Sequence, residues 1–396
     1  MKIIIVGGGM AGASLALAIS VLSGGKIHVS LIENSLPNNY YSNFDARTIV
    51  LTYSTCQQFN KIGVLSGLKS YLTPIIDIHI SEYGHWSTVN IKAKDYSIPA
   101  LGYIVKLYDA KNYLFEQLKK AINVKVYCPD KVISVWRTTD NVSVKLSSNK
   151  ILTGELLVAA DGTYSMIGES CKIEWQRKYY QQCAIITNVL TSETPYGQAF
   201  ERFTEYGSIA MLPMSKGRNS LVWCYPLKKI QYIMQCNDNK FMEKLQKCFG
   251  WRLGKIQEIS RRYCFPLLLS RARRLISHRL VLIGNAAQTL HPIAGQGFNL
   301  GMRDAMVFAG IISEIANCGG DIGSYSVLMQ YQIQRSDDRQ NIIKLTNNLI
   351  HLFSTNNLLF SIVRKVGLIM IEILPSMRDA MIYKAFGGCF SSPILK

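Results

Sequence analysis

Acidic residues are scarce in this chain: 26 Asp and Glu stand against 44 Lys and Arg, a formal charge of +18. Such an excess would suit an anionic partner, either a membrane surface or a nucleic acid. The basic residues are spread along the chain, with dense clusters only at Arg261-Arg262 and Arg271 to Arg274. No nucleic-acid motif accompanies them, so nucleic acid is not an expected partner. Paired cysteines are missing as well. The ten Cys include no CxxC, which excludes a zinc ribbon and the disulfide framework of a short secreted domain. Reduced, buried thiols in a cytoplasmic protein are expected instead. No apolar run is long enough to cross a bilayer uninterrupted. The first apolar stretch is broken by Gly7, Gly8, Gly9 and Gly12, so it reads as a strand and a loop, not a signal peptide. A nucleophile-and-base constellation is absent too. That leaves a bound cofactor to carry any reaction.

What is present is a large globular core, with hydrophobic residues at 48% of 396 positions. Lys2 to Val6 is a run of β-formers, followed at once by Gly7-Gly8-Gly9-Met10-Ala11-Gly12. A helical pattern covers Ala13 to Leu22, and a second strand covers Ile27 to Ile32. Glu33 follows Gly12 by 21 positions. This is GxGxxG in its required setting, between strand and helix, with the acid that accepts from a ribose hydroxyl. Gly7 permits the tight turn, Gly9 lets backbone amides approach a pyrophosphate, and Gly12 lets helix and strand pack closely.

A second ligand-binding stretch runs from Arg279 to Asp304. Leu280 to Ile283 reads as a buried strand, and Asn285 stands at its carboxyl end, where open α/β sheets bind ligands. The loop after it carries Pro292, Gly295 and Gly297, which allow close backbone approach. A helix is expected to start at Asn299, a favoured cap residue, and to run towards Gly319-Gly320. Its positive end suits a phosphate or a reduced flavin ring. Two such stretches so far apart call for a long cofactor, and FAD fits.

Between them the pattern changes. Ile75 to Ile80 reads as a strand, with Val89 to Ile91 as its return. Val124 to Tyr127, Val132 to Val135 and Val142 to Leu146 read as short antiparallel strands. Ala184 to Val189, Ile209 to Met211, Ser220 to Tyr225 and Tyr263 to Leu269 suggest a second, mainly antiparallel sheet. The expected fold is therefore α/β. A Rossmann-like FAD-binding domain (1–74, 98–180 and 269–340) is interrupted by an antiparallel substrate domain (75–97 and 181–268), and a helical region (341–396) closes the chain. Helical spacing at Ile343 to Phe353 and Leu358 to Leu374 suits core packing or, with Arg364 and Lys365, a membrane-docking surface. Arg47 is either a solvated arginine at a helix start or a guanidinium fixed near the dinucleotide. Asp161-Gly162, after the buried strand Leu156 to Ala160, is either a turn or a carboxylate at the cofactor's edge.

GGGMAG, Glu33, Asp161-Gly162 and the Gly284 stretch together resemble the aromatic-ring hydroxylases, FAD-dependent monooxygenases of the para-hydroxybenzoate hydroxylase type. Thr55 to Phe59, Ala199 to Gly207, Ala210 to Ser215, Ser220 to Leu227, Phe249 to Ile256 and the Gly284 stretch narrow the likeness to the ring hydroxylases of ubiquinone biosynthesis. Asn285 replaces the aspartate usual in the wider family. The resemblance implies that Gly7, Gly9, Gly12 and Glu33 hold the ADP half, and that Arg47 sits by the flavin. Asp161 would serve both FAD and the nicotinamide, and the Pro292 carbonyl would face the flavin's reactive edge. Asn112 stands where the family often has Gln, and Gly168 where an arginine often ends the Asp-Gly motif. The implied reaction uses NAD(P)H to reduce FAD, forms a C4a-hydroperoxide with dioxygen, and hydroxylates a prenylated phenol of the 2-octaprenyl-6-methoxyphenol type. A sister ring hydroxylase, a prenyl reductase and a flavin-bearing scaffold are the alternatives. The implied setting is cytoplasmic, or peripheral on the inner face of a bacterial inner membrane, beside other proteins of the pathway. Ring deprotonation would speed the reaction. His291 is either the base or a histidine packed in the loop.

Overall fold

The computed structural model describes residues 1–36, 47–85, 88–354 and 379. The expected helix over Leu358 to Leu374, with Arg364 and Lys365, lies outside them, as do Phe44 to Ala46. In chain order the elements begin with β1 (Lys2–Val6), α1 (Met10–Leu22), β2 (His28–Ile32), β3 (Thr48–Thr52), α2 (Tyr53–Lys61) and α3 (Leu65–Leu68). Then come β4 (Thr73–Ile75), β5 (Asp77–Glu82), β6 (Thr88–Lys92), β7 (Gly102–Lys106), α4 (Leu107–Lys120) and β8 (Val124–Tyr127). They continue with β9 (Val132–Arg137), β10 (Val142–Leu146), β11 (Ile151–Gly154), β12 (Leu156–Ala159), α5 (Met166–Ser170) and β13 (Trp175–Thr191). Next are β14 (Gln198–Thr204), β15 (Gly207–Pro213), β16 (Arg218–Pro226), α6 (Ile230–Gln235), α7 (Asp238–Phe249), β17 (Ile256–Ile259) and β18 (Tyr263–Ala272). The last are β19 (Ile276–Ser277), β20 (Leu280–Leu282), β21 (Gln288–Thr289), α8 (Gln296–Asn317) and α9 (Tyr325–Ser354).

Two large sheets organise these elements. The first has the order β19-β20-β12-β1-β2-β8, parallel except for β19. Its strands are apolar runs because both faces are covered, by helices such as α1 and α8 and by the small sheet of β9 and β10, whose Val142, Val144 and Leu146 share its core; Ile3, Ile5, Leu31, Val158 and Val281 are all essentially inaccessible. One expectation is corrected here. Val124 to Tyr127 is no antiparallel hairpin strand but runs parallel to β2. The helix α4 precedes it, and a helical crossover returns the chain in the same direction. Only β9, β10 and β11 form the expected small antiparallel sheet.

The second sheet has the order β21-β18-β13-β16-β15-β14-β5-β6, with β17 beside β13. Its pairs are antiparallel except β14 with β5. The expected strand Ile75 to Ile80 divides: Ile75 ends β4 and pairs with β7, while Asp77 starts β5 in the large sheet. The boundaries drawn at 180 and 268 fall inside the long strands β13 and β18. The two faces of this sheet differ. On one, Ile185, Leu221, Trp223, Ile209 and Met211 are sealed beneath Phe241, Leu245 and Phe249 of α7. On the other, Ile186, Asn188, Ala210, Leu212 and Val222 are only half-buried.

Candidate functional site

The two glycine stretches meet. β1 and β20 both pair with β12, so their carboxyl ends lie one strand apart. A Cβ on Gly284 would stand 2.8 Å from the Ala11 side chain, and one on Gly301 would stand 3.1 Å from the Gly284 Cα. Close packing of the Gly284 turn against the first turns of α1 and α8 therefore requires these glycines. The Asp161 turn joins them. A Cβ on Gly7 would come within 2.3 Å of the Ala160 carbonyl, and Thr163 and Thr289 share a hydroxyl hydrogen bond of 3.0 Å.

The amino-terminal loop forms because its glycines do what no other residue could. Gly7 has φ of +103°. Gly12 lies inside α1, which starts at Met10 and not at Ala13 as expected. A Cβ there would be 1.9 Å from the Gly7 carbonyl oxygen, so the helix can begin this close to the strand only with glycine. Gly9 caps the helix, and apart from its chain neighbours no described residue comes within 4 Å of where its Cβ would be. At the end of β2, Glu33 accepts from the Gly8 amide at 2.5 Å, which holds the acid against the loop.

The second helix repeats the arrangement. Gly295, left-handed at φ of +60°, caps α8, and Gly297 in its first turn again faces space free of protein within 4 Å. Neither α1 nor α8 has a side-chain cap or an acid in its first turn. Both positive ends are thus left to a ligand. The helix α8 starts three residues before Asn299, which corrects the expected cap. Asn299 is buried and braces the loop instead. Its Oδ1 accepts from the Thr52 amide at 3.0 Å and the Thr55 hydroxyl at 2.7 Å, while its Nδ2 donates to the Val50 and Gly295 carbonyls. Those bonds commit its side chain to protein.

The remaining expected residues are placed as follows. Asp161 Oδ2 accepts from the Ile167 amide at 3.1 Å, whereas Oδ1 is buried with no hydrogen-bond partner among the described residues. Burial raises this carboxyl above its ordinary pKa, against the Ser165 hydroxyl and the Ile167 amide. An orphaned acceptor beside the Gly7 turn fits a hydroxyl or N–H of a bound cofactor. Asn285 is exposed at the end of β20. Pro292 turns its carbonyl to the Gly295 amide at 2.9 Å. Arg47 receives the Leu107 amide on its carbonyl and lays its guanidinium over Phe265, 5.9 Å from the ring centre, so it bridges to the second sheet. Asn112 is half-buried on α4. Gly168 has a local reason: a Cβ would stand 2.5 Å from the Trp175 ring, so no arginine could replace it.

His291 is the packed histidine. Its Nδ1 accepts from the Ile293 amide at 3.3 Å, its Nε2 faces the Gln182 side-chain carbonyl at 3.4 Å, and Tyr180 meets it edge-on. Burial lowers its pKa to about 4. Its basic lone pair is already engaged, so it orders the loop and accepts no proton at neutral pH.

Residue patterns alone missed a buried ion network under this loop. Asp304 receives Arg335 at 2.6 Å and the Gln288 amide at 2.7 Å, and Asp338 receives both Arg303 and Arg335. It clamps β21, α8 and α9 behind the Pro292 loop. The one signal was a helix otherwise spaced for packing that carries Arg335, Asp338 and Arg339 within one turn.

The geometry is a cradle for an extended dinucleotide, with two bare helix ends and a buried oxygen awaiting a donor. Comparison agrees: the family model described as FAD binding domain matches residues 1–346. The chain belongs to this family. It is a FAD-dependent aromatic-ring monooxygenase, and the family draws its electrons from NAD(P)H. It is 28% identical over 386 residues to the ubiquinone hydroxylase UbiL of Rhodospirillum rubrum, covering 97% of this chain and 89% of that one. It is 27% identical to the 3-demethoxyubiquinol 3-hydroxylase of Escherichia coli, with 94% of each covered. The p-nitrophenol 4-monooxygenase of Pseudomonas putida shares the fold at a TM-score of 0.79 and 15% identity, over 98% of both chains. Among the described residues no helix is long and apolar enough to cross a membrane.

Proposed function

We propose that this chain hydroxylates the aromatic ring of a prenylated phenol, 2-octaprenyl-6-methoxyphenol or a close analogue, in ubiquinone biosynthesis. The observation that carries the reading is the close approach of Gly284 to Ala11, which brings both glycine loops to one cradle, while Val50 beside Gly295 clusters with Ala199 and Leu212 of the second sheet. The named activities of the relatives in Rhodospirillum rubrum and Escherichia coli support the substrate class.

When bound, FAD supplies the redox chemistry between NAD(P)H and dioxygen. The chain's own residues do the rest. Gly7, Gly9 and Gly12 would open the α1 end to the pyrophosphate, and Glu33 would take a ribose hydroxyl. Asp161 Oδ1 would accept from the cofactor's middle. Pro292, Gly295 and Gly297 would bring the α8 end to the ring, with Asn285 beside it. The half-buried Ile186, Ala210, Leu212 and Val222 give a prenyl tail an apolar wall. The +18 charge would favour an anionic membrane surface, where such a substrate dissolves.

The relative that hydroxylates at the 3-position favours a second reading, a sister ring hydroxylase of the same pathway. The test begins with the visible spectrum of purified protein. A yellow protein, bleached by NAD(P)H and yielding a ring-hydroxylated product from a short-tailed 2-prenyl-6-methoxyphenol, is expected. Turnover of a different ring position only would favour the sister enzyme. Oxidation of NAD(P)H with saturation of the prenyl chain and no oxygen uptake would refute both.

A further inference from the structure

The reaction proposed above needs a phenol that reacts as its anion, and His291 does not take the proton. The half-open face of the second sheet holds a carboxyl, Glu201, near the middle of its apolar row. On β14, Ala199, Glu201 and Phe203 alternate with Phe200 and Arg202, and Phe200 belongs to the sealed face. Glu201 therefore belongs to the open one. The register extends this row: Glu201 pairs with Ala210, Ala210 with Val222, and Val222 with Ile186. Those three neighbours are small or apolar and half-buried, so the carboxyl stands in an apolar wall.

The same wall faces the cofactor loop. Ala199 and Leu212, on the next row of this face, cluster with Val50. A Cβ on Gly295 would lie 3.1 Å from that Val50 side chain. The Thr48 hydroxyl reaches the Ser220 hydroxyl of the face at 2.9 Å, and Arg47 covers Phe265 of β18. Strand β3 thus links the α8 end to the row beside Glu201. The Oε1 atom of Glu201 is buried with no hydrogen-bond partner among the described residues.

We propose that Glu201 binds the phenol hydroxyl and accepts its proton. The phenol O–H bond breaks, a carboxyl O–H bond forms, and the electron pair stays on the phenol oxygen and enters the ring. After oxygen transfer the C–H bond at the hydroxylated carbon breaks, its electron pair restores the aromatic ring and its proton leaves with the water the reaction forms, while the carboxyl returns its own proton to the phenol oxygen, so the proton transfers consume no reductant or oxidant. Burial raises the carboxyl's pKa to about 7, opposed by the Ser208 hydroxyl, which suits a base working near neutrality. The groups around it set no strong competing field. Ser208 and Cys224 face it from β15 and β16, and burial keeps the Cys224 thiol neutral by raising it to about 12. Glu82 lies opposite Phe203, one residue pair along on the same face of β5. Arg202 points the other way, to Ser81 and the Cys248 carbonyl. Tyr53, Tyr96 and Ile80, the β5 partner of Glu201, belong to one apolar cluster, and the Tyr96 hydroxyl donates to Asp379. Arg47 lies over Phe265.

The inference rests on the function proposed above, and its test separates the two. FAD-loaded wild type and Glu201→Gln are compared with a short-tailed 2-prenyl-6-methoxyphenol, with Glu201→Asp as the conservative control. In the wild type kcat/KM should fall below pH about 7, and the bound phenol should show a phenolate spectrum at pH 8. Glu201→Gln should keep FAD and melt no lower than the wild type, lose about 10²-fold in kcat/KM, lose the acid limb, and bind the phenol neutral. Glu201→Asp should restore the limb, and a fluorinated, more acidic phenol should recover turnover in Glu201→Gln. Unchanged kcat/KM in Glu201→Gln overturns the assignment alone. So does a loss of rate that leaves the acid limb and the phenolate spectrum intact, since that marks a structural role. A flavin-loaded wild type that hydroxylates no prenylated phenol overturns the assignment together with the function beneath it.

Discussion

The two sheets treat their faces differently, and the proposed function draws on the difference. The parallel sheet is buried on both sides, so its ligand can meet only its edge, where β1, β12 and β20 end. The second sheet is sealed on one side by α7 and half-open on the other. A cofactor is gripped by backbone at strand ends, because phosphate recognition needs amides and glycine. In the proposed function a greasy phenol takes the side-chain surface of an unfinished sheet face, and one sheet edge and one sheet face, linked by β3, make the site.

Several substitutions would break or sharpen that contrast. The largest effect belongs to the edge: Gly12→Ala sets a methyl 1.9 Å from the Gly7 carbonyl, within rigid backbone. It should cost about 3 kcal/mol or more, and the purified protein should be colourless. A yellow Gly12→Ala with unchanged melting would remove the edge from the account. Next, the sealed face predicts that Trp223→Ala, at a wholly buried position, loses about 3–5 kcal/mol in denaturant unfolding whether or not phenol is present. The open face should behave in the opposite manner. Ala210→Phe should change stability by less than about 1 kcal/mol yet reduce kcat/KM on a long-tailed phenol at least ~10-fold, as lost pocket volume would. Equal behaviour of the two faces in unfolding would show that the asymmetry is not functional.

Glu201 adds a smaller, pH-dependent effect. Its pKa in the folded chain, about 7, lies above the ordinary 4.5, so the folded state binds the proton more tightly than the unfolded one. That contribution is complete below the unfolded value and is lost as pH rises through about 7. Glu201→Gln should therefore melt increasingly above the wild type between pH 5 and 8; a constant gap would contradict it. The smallest effect is at His291. With its pKa near 4, it stays neutral throughout that range, so His291→Gln should leave the pH profile of kcat/KM unaltered in shape. A vanished limb near pH 6.5 would restore it as a base.

Much of the edge was legible in residues alone. GGGMAG between β-formers and a helix, with Glu33 at its distance, has one physical reading because glycine and strand spacing act locally. The Arg279 to Asp304 stretch was legible for the same reason, although its helix begins at Gln296 and its Asn299 is a brace. That error has a cause: capping propensity is local, but the carbonyl and hydroxyl groups that claimed Asn299 come from β3 and α2. Glu201 gave no local sign. An acid at one position of an alternating strand is ordinary until the register shows which way it faces.

The sequence by itself therefore determined the cofactor: which turns are glycine, where the parallel strands stop, and that the ligand is long. Those features follow from backbone sterics and from interactions between neighbours in the chain. Tertiary structure alone decided that Gly284 meets Ala11, that His291 is spent on packing, and that one face of the second sheet stays open with Glu201 in it. Each of these depends on contacts between distant segments, and no residue's own preference encodes which distant surface will cover it.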